Sequence, residues 1–173
     1  MMISDAMAAS LNEQIKHEHY SSYLYLSMSY ALEQMNYRVF AQWFTLQAEE
    51  ENAHALKMAR YLIEQGAPVR LEAIDQPPAK FGSVLEIVQA ALDHEKLITR
   101  RIHEISKQAR EGNDPATESF IQWFVTEQVE EVDSVNELLG VVQMAENPAQ
   151  LLLLEDSRVS RIVSERQTAS QPA

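Results

Sequence analysis

The chain has 173 residues, enough for one domain with a sizeable core, and no cysteine, which excludes disulfides, thiolate zinc sites and cysteine-ligated iron–sulfur clusters. Apolar residues make up 46% with only four Gly and six Pro, a balance that points to a helix-rich globular fold. With 26 acidic against 14 basic side chains the formal net charge is -12, which disfavours nucleic acid as a partner and favours cations. No apolar run approaches the roughly 20 residues of a membrane span, and the N-terminus lacks the basic and apolar regions of a signal peptide, so no membrane association is predicted and the cytoplasm is the expected compartment.

Ser4 and Asp5 cap a first predicted helix that runs to about Met35. Its seam reads Leu11, Ile15, Glu18, Ser22, Tyr25, Ser29, Leu32, in steps of four and three. A second apolar face, Tyr20, Leu24, Met28, Ala31 and Met35, exceeds what a lone bundle needs and suggests a subunit interface. His17 and His19 flank Glu18, but adjacent helical residues point about 100° apart, which assigns both to the surface or an interface. A short connection at Asn36 makes the next helix, Tyr37 to Gln65, an antiparallel neighbour. Its seam is Phe40, Phe44, Gln47, Glu51, His54, Met58, Leu62.

Gly66 and Pro68 end that helix, and the stretch to Gly82, with Pro77-Pro78, reads as a long loop. A helix of about 28 residues is roughly 42 Å long, a distance that about 17 extended residues can span. The third helix can therefore run parallel to the second, with the loop crossing the length of the bundle. Ser83 caps this third helix, whose seam is Val84, Val88, Ala91, Glu95, Ile98, Ile102, Ile105; His94 lies off it. Gly112-Asn113-Asp114-Pro115 turns the chain into a fourth helix with the seam Ile121, Phe124, Gln128, Glu131, Val135, Leu138, Val142. Asn147-Pro148 ends the bundle, residues 149–165 suit a shorter fifth helix that needs a partner surface, and 167–173 read as a disordered tail. One all-α domain over 1–166 results: a four-helix bundle over about 4–146 with one long crossover between helices two and three, and the short fifth helix.

Each long helix thus carries one glutamate near the middle of its apolar stripe: Glu18, Glu51, Glu95 and Glu131. His54 lies one turn from Glu51, and Gln128 one turn from Glu131. Carboxylates in such a seam are costly unless something compensates their charge, and a metal ion does. An oxygen-rich site with one imidazole suits iron or manganese, with zinc as a competitor, and four glutamates can hold two ions.

Four stretches carry a family resemblance: Leu11-Asn12-Glu13-Gln14 through Glu18-His19-Tyr20-Ser21-Ser22, Ala48-Glu49-Glu50-Glu51-Asn52-Ala53-His54, His94-Glu95-Lys96-Leu97-Ile98-Thr99, and Gln122-Trp123-Phe124 through Val129-Glu130-Glu131. In these the chain resembles the prokaryotic non-haem ferritins, over nearly its whole length. The resemblance implies a ferritin-like diiron fold and a ferroxidase, which oxidises Fe(II) with oxygen or hydrogen peroxide and stores the product as a hydrated ferric oxide. By the family's pattern Glu18, Glu51 and His54 hold one iron, and Glu51, Glu95 and Glu131 the second. Glu51 bridges, Gln128 stands near the second iron, and Tyr25 matches a tyrosine beside the centre. Glu50, Glu127 and Glu130 match a third iron site that shares Glu131. The family also implies a homo-oligomeric shell of 24 subunits, with the fifth helix at its four-fold axes.

Departures from related families sharpen the assignment. Haem-binding bacterioferritins carry a methionine directly after the bridging glutamate, where this chain has Asn52, so no haem is expected. They also carry a second histidine in the fourth-helix motif, where this chain has Glu130-Glu131. Animal ferritins place two carboxylates at their three-fold channels; here Glu118 matches one and Ile121 stands at the other. A silent storage shell and a diiron oxygenase are the competing classes. The full ligand set speaks against the first, and the absence of a second histidine and of a substrate-pocket signal against the second.

Overall fold

The computed structural model describes residues 2–169, and of Ala169 the backbone alone. Four long helices make the bundle: α1 (Asp5–Gln34), α2 (Arg38–Glu64), α3 (Val84–Glu111) and α4 (Pro115–Gln143). Most start on a side-chain cap that supplies an acceptor for the free N–H groups of the first turn. Ser4 accepts from Met7 N at 3.1 Å, and Asp114 from Thr117 N at 3.0 Å with Pro115 in the first turn. Ser83 and Glu86 form a reciprocal capping box. The α1–α2 and α3–α4 turns each place an asparagine in the left-handed region, Asn36 at φ 66° and Asn113 at φ 50°, a conformation that asparagine tolerates better than most residues.

Cross-bundle contacts fix the helix directions. Ser29 Oγ donates to Ala41 O and Ser22 Oγ to Ala48 O, so α1 and α2 are antiparallel. Ser10 with Gln108 and Ser21 with His94 set α3 antiparallel to α1. Together these make α2 and α3 parallel, as the loop length predicts. The crossover runs along α1: Asn12 holds Pro68 O and Arg70 N, and Ser27 Oγ donates to Pro78 O.

The core is two apolar clusters separated along the bundle axis. One gathers Ile3, Leu11, Ile15, Met58, Leu62, Ile102 and Ile121. The other gathers Leu24, Met28, Leu32, Phe40, Trp43, Phe44, Val88 and Val135. Leu24 and Met28 are therefore buried within this chain rather than reserved for a subunit interface. Both α2 and α3 pack on α1, so its buried arc is wider than one seam. The large exposed side chains of α1 are Tyr23 and Tyr30 instead.

The C-terminal helix is longer than the sequence suggests. It comprises α5 (Pro148–Leu154), a π-helical turn at Glu155–Val159 and α6 (Ser160–Ala169). Val159, Ile162 and Val163 bury against the second cluster, giving this segment its partner surface within the chain. The stretch read as a disordered tail, 167–173, begins inside α6, because that burial extends the helix past residue 166; residues 170–173 lie outside the described residues.

Candidate metal centre

Between the two apolar clusters the four seam glutamates meet. Glu18 from α1, Glu51 from α2, Glu95 from α3 and Glu131 from α4 are each 5% exposed or less. Ligand atoms of Glu18, Glu51 and His54 lie within 4.8 Å of one another, as do those of Glu51, Glu95 and Glu131. Glu51 belongs to both groups, so the two candidate ion positions share one carboxylate.

Burial of so many carboxyls together favours their pairing with a cation or a proton. Burial pushes Glu18 and Glu51 well above the usual carboxylate range, reinforced by Glu51 beside Glu18 and by Glu95 and Glu131 beside Glu51. Glu95 is raised by burial, and Glu131 is pushed up to about 8 by burial and then by Glu95 and Glu50. Two buried oxygens, Glu18 Oε2 and Gln128 Oε1, have no hydrogen-bond partner among the described residues. Unpaired buried acceptors among four carboxylates and an imidazole are the donor set of a hard or borderline metal ion, and the residues present fit one.

Amides and a phenol orient these ligands. Gln14 Nε2 donates to Glu18 Oε1 at 2.9 Å. Gln47 Nε2 donates to Glu51 Oε1 at 3.1 Å and to Glu131 Oε2 at 2.5 Å. Gln128 Nε2 donates to Glu95 Oε2 at 3.0 Å, and the Tyr25 hydroxyl donates to Glu95 Oε1. Burial and the Glu95 charge keep Tyr25 protonated, its pKa raised well above that of a free phenol. His54 is wedged edge-on against Trp123 and Phe124, with ring centroids 5.5 and 5.8 Å away, and Lys57 Nζ covers the outer face of Trp123 at 3.2 Å. Sequence reasoning gave Gln14 and Gln47 no role. The available signal was their spacing, each four residues before a seam glutamate.

The inner residues divide. Glu127 joins His54 and Glu131 in a third group within 4.8 Å, whereas Glu50 pairs with Arg166 of α6. Among the described residues, Glu50 and Glu130 belong to none of these converging groups, although both line the same cleft as Glu127 and Glu131. The long Arg166 side chain draws Glu50 toward α6. Of the remaining histidines, His17 Nε2 meets Glu13 at 3.0 Å, and His94 bonds Ser21 at 2.7 Å and lies edge-on to Tyr25. Glu118 pairs with Arg110 at 3.2 Å, and Ile121 is fully buried.

A four-helix bundle with one long crossover, carrying a glutamate from every helix and a Glu-x-x-His pair around one buried centre, defines the class of ferritin-like carboxylate bundles. A family model for the ferritin-like domain matches residues 8–145. The chain is 37% identical to the bacterial non-heme ferritin of Staphylococcus aureus over 130 residues, 75% of this chain and 78% of the relative. It is 35% identical to that of Bacteroides fragilis over 144 residues, 83% and 91% of the two chains. Among solved structures, an open pore ferritin from the hyperthermophilic archaeon Archaeoglobus fulgidus superposes with a TM-score of 0.88 at 37% identity, covering 91% of this chain and 98% of that one. An engineered closed form of the A. fulgidus ferritin gives 0.86 at 39% identity, covering 89% and 94%. The chain belongs to the ferritin family.

Proposed function

We propose that the protein is an iron-storage ferritin with ferroxidase activity, working in the cytoplasm. Its substrate is Fe(II), bound as two ions on either side of Glu51. Glu18 and His54 complete the ligands of one ion, and Glu95 and Glu131 those of the other, with Gln128 close by. The observation that carries this reading is Glu51's membership of both converging groups, which supports two ions sharing one carboxylate.

Each Fe(II) gives up one electron. Oxygen takes two electrons and two protons and leaves as hydrogen peroxide; hydrogen peroxide as oxidant takes the same and leaves as two waters. The carboxyls that carry protons in the unliganded centre release them as iron binds. Gln14 and Gln47 hold the carboxylates in place, and Tyr25 and Gln128 each hold one oxygen of Glu95. No haem takes part in this scheme.

The Fe(III) product passes over the inner face lined by Glu50, Glu127 and Glu130 and is stored as hydrated ferric oxide inside a homo-oligomeric shell of 24 subunits. The net charge of -12 per chain concentrates Fe(II) at such a shell. Aerobic addition of Fe(II) in rising ratios to the apo protein, followed by size-exclusion chromatography with iron detection, tests the proposal. The expected result is a fast phase saturating near two irons per chain, with excess iron co-eluting in a large particle. Fast oxidation without retained iron overturns the storage half, and the absence of a fast phase overturns the ferroxidase half.

A further inference from the structure

Arg166, near the end of the C-terminal helix, reaches back across the bundle to α2. Its Nη2 donates to Glu50 Oε2 and, at 2.9 Å, to Gln47 Oε1. Its guanidinium carbon stands 4.7 Å from the centroid of the Trp43 ring, a cation–π arrangement. The side chain is 17% exposed. It closes one side of an acidic cleft of about 410 Å³, whose other walls include Glu50, Glu127, Glu130, Glu131 and Glu137.

A guanidinium stays charged at every accessible pH, so this cleft contains a permanent cation supplied by the chain. An incoming ion that used Glu50 Oε2 would first have to break a charge-assisted hydrogen bond, and one that used either oxygen would stand beside the positive charge. Glu127 and Glu131, by contrast, already converge with His54. We propose that Arg166 is a tethered counter-cation that competes with metal for Glu50 and thereby limits how many ions the inner face of the subunit takes. The proposal rests on the reading of the Glu51 centre as a two-metal site.

Arg166 is also a positioning residue. By accepting from Arg166, the carbonyl oxygen of Gln47 is turned away from the centre, which leaves the Gln47 NH2 facing Glu51 and Glu131. Without that anchor the amide is held only through its NH2, and the donor shared by the two carboxylates is less firmly oriented. The C-terminal helix thus bears on both the number of ions bound and the geometry of the bridging carboxylates.

Anaerobic calorimetric titration of the apo protein with Zn(II), which has no redox chemistry, tests this. Arg166→Gln and Arg166→Met, the latter keeping an apolar stem on Trp43, are expected to bind one more Zn(II) per chain than the parent. Arg166→Lys keeps the charge and is expected to bind the parent number. Adding Glu50→Gln to Arg166→Gln is expected to remove the extra ion. Thermal unfolding of the same samples confirms that each variant is folded. A folded, uncharged variant with the parent's ion count overturns the proposal, as does an extra ion in Arg166→Lys or one that survives Glu50→Gln. Failure of the two-metal reading looks different: Glu51→Ala would then bind as many ions as the parent.

Discussion

Gln128 donates its amide to Glu95 at 3.0 Å while its own carbonyl oxygen stays buried and without a partner among the described residues. One side chain therefore orients a ligand and offers a spare acceptor beside the second ion position. Gln128→Leu removes both. Loss of an outer partner of a metal ligand costs about 10–100-fold in affinity or activity. The fast phase of Fe(II) oxidation at two ions per chain is expected to slow within that range, while Gln128→Glu, which restores an acceptor but not the donor, slows it less. Stopped-flow absorbance at low iron loading reads the difference.

Glu51→Ala is the severest single change to the centre, because both candidate ion positions lose the carboxylate they share. The fast phase is expected to fall by more than the about 10–100-fold that removal of an outer partner costs. The same substitution removes the repulsion of Glu51 against Glu18, Glu95 and Glu131, so the apo variant is expected to unfold at a higher temperature than the apo parent near pH 8. Stopped-flow kinetics and calorimetry on one preparation check both signs.

The apo protein's stability is expected to fall as pH rises. Glu131 has a folded pKa of about 8, above the unfolded value of about 4.3, so between these values the folded state binds more protons than the unfolded state. Stability conferred by the protonated carboxyl is fully present below the lower value and is lost as pH climbs to about 8. Glu18, Glu51 and Glu95 shift in the same direction and add to the slope. Apo thermal midpoints should decline from pH 5 to pH 8, and saturating Zn(II) should abolish the decline by replacing the protons. A flat apo profile would show that the four carboxyls are not buried together.

The parts of this site legible in the sequence are those that lie on one helix at a time. Glu18, Glu51, Glu95 and Glu131 each interrupt an apolar seam, and periodicity finds such interruptions without knowledge of how the helices meet. The length of the 66–82 stretch likewise indicated a crossover, and the loop does run along α1 from Asn12 to Ser27. Seam assignment failed locally where a helix packs on two sides: Ser21 is fully buried, while Ser22, placed on the seam, is partly exposed and donates to Ala48 O. Contacts spanning more than a hundred residues were beyond reach. Neither the Arg166–Glu50 pair nor the Glu155 contact with Val39 and Phe40 follows any helical spacing. The π-helical turn had no signal either.

That last contact gives a stability prediction. Tyr37, at the N-cap of α2, makes no side-chain capping bond, and the free N–H groups of Val39 and Phe40 are instead satisfied by Glu155 Oε1, at 2.8 and 3.0 Å. The C-terminal segment therefore caps a helix of the bundle, and the helix dipole favours the negative charge it brings. Glu155→Ala leaves two backbone donors without this acceptor and is expected to cost about 0.5–2 kcal/mol, the range for loss of an N-cap. Glu155→Gln keeps an acceptor without the charge and should recover part of it. Chemical denaturation of both variants gives the free-energy differences. Hydrogen exchange at Val39 and Phe40 is the sharper readout, since protection there should drop in Glu155→Ala even where the rest of α2 is unchanged. Protection equal to the parent's would show that the N-terminus of α2 does not depend on the C-terminal helix.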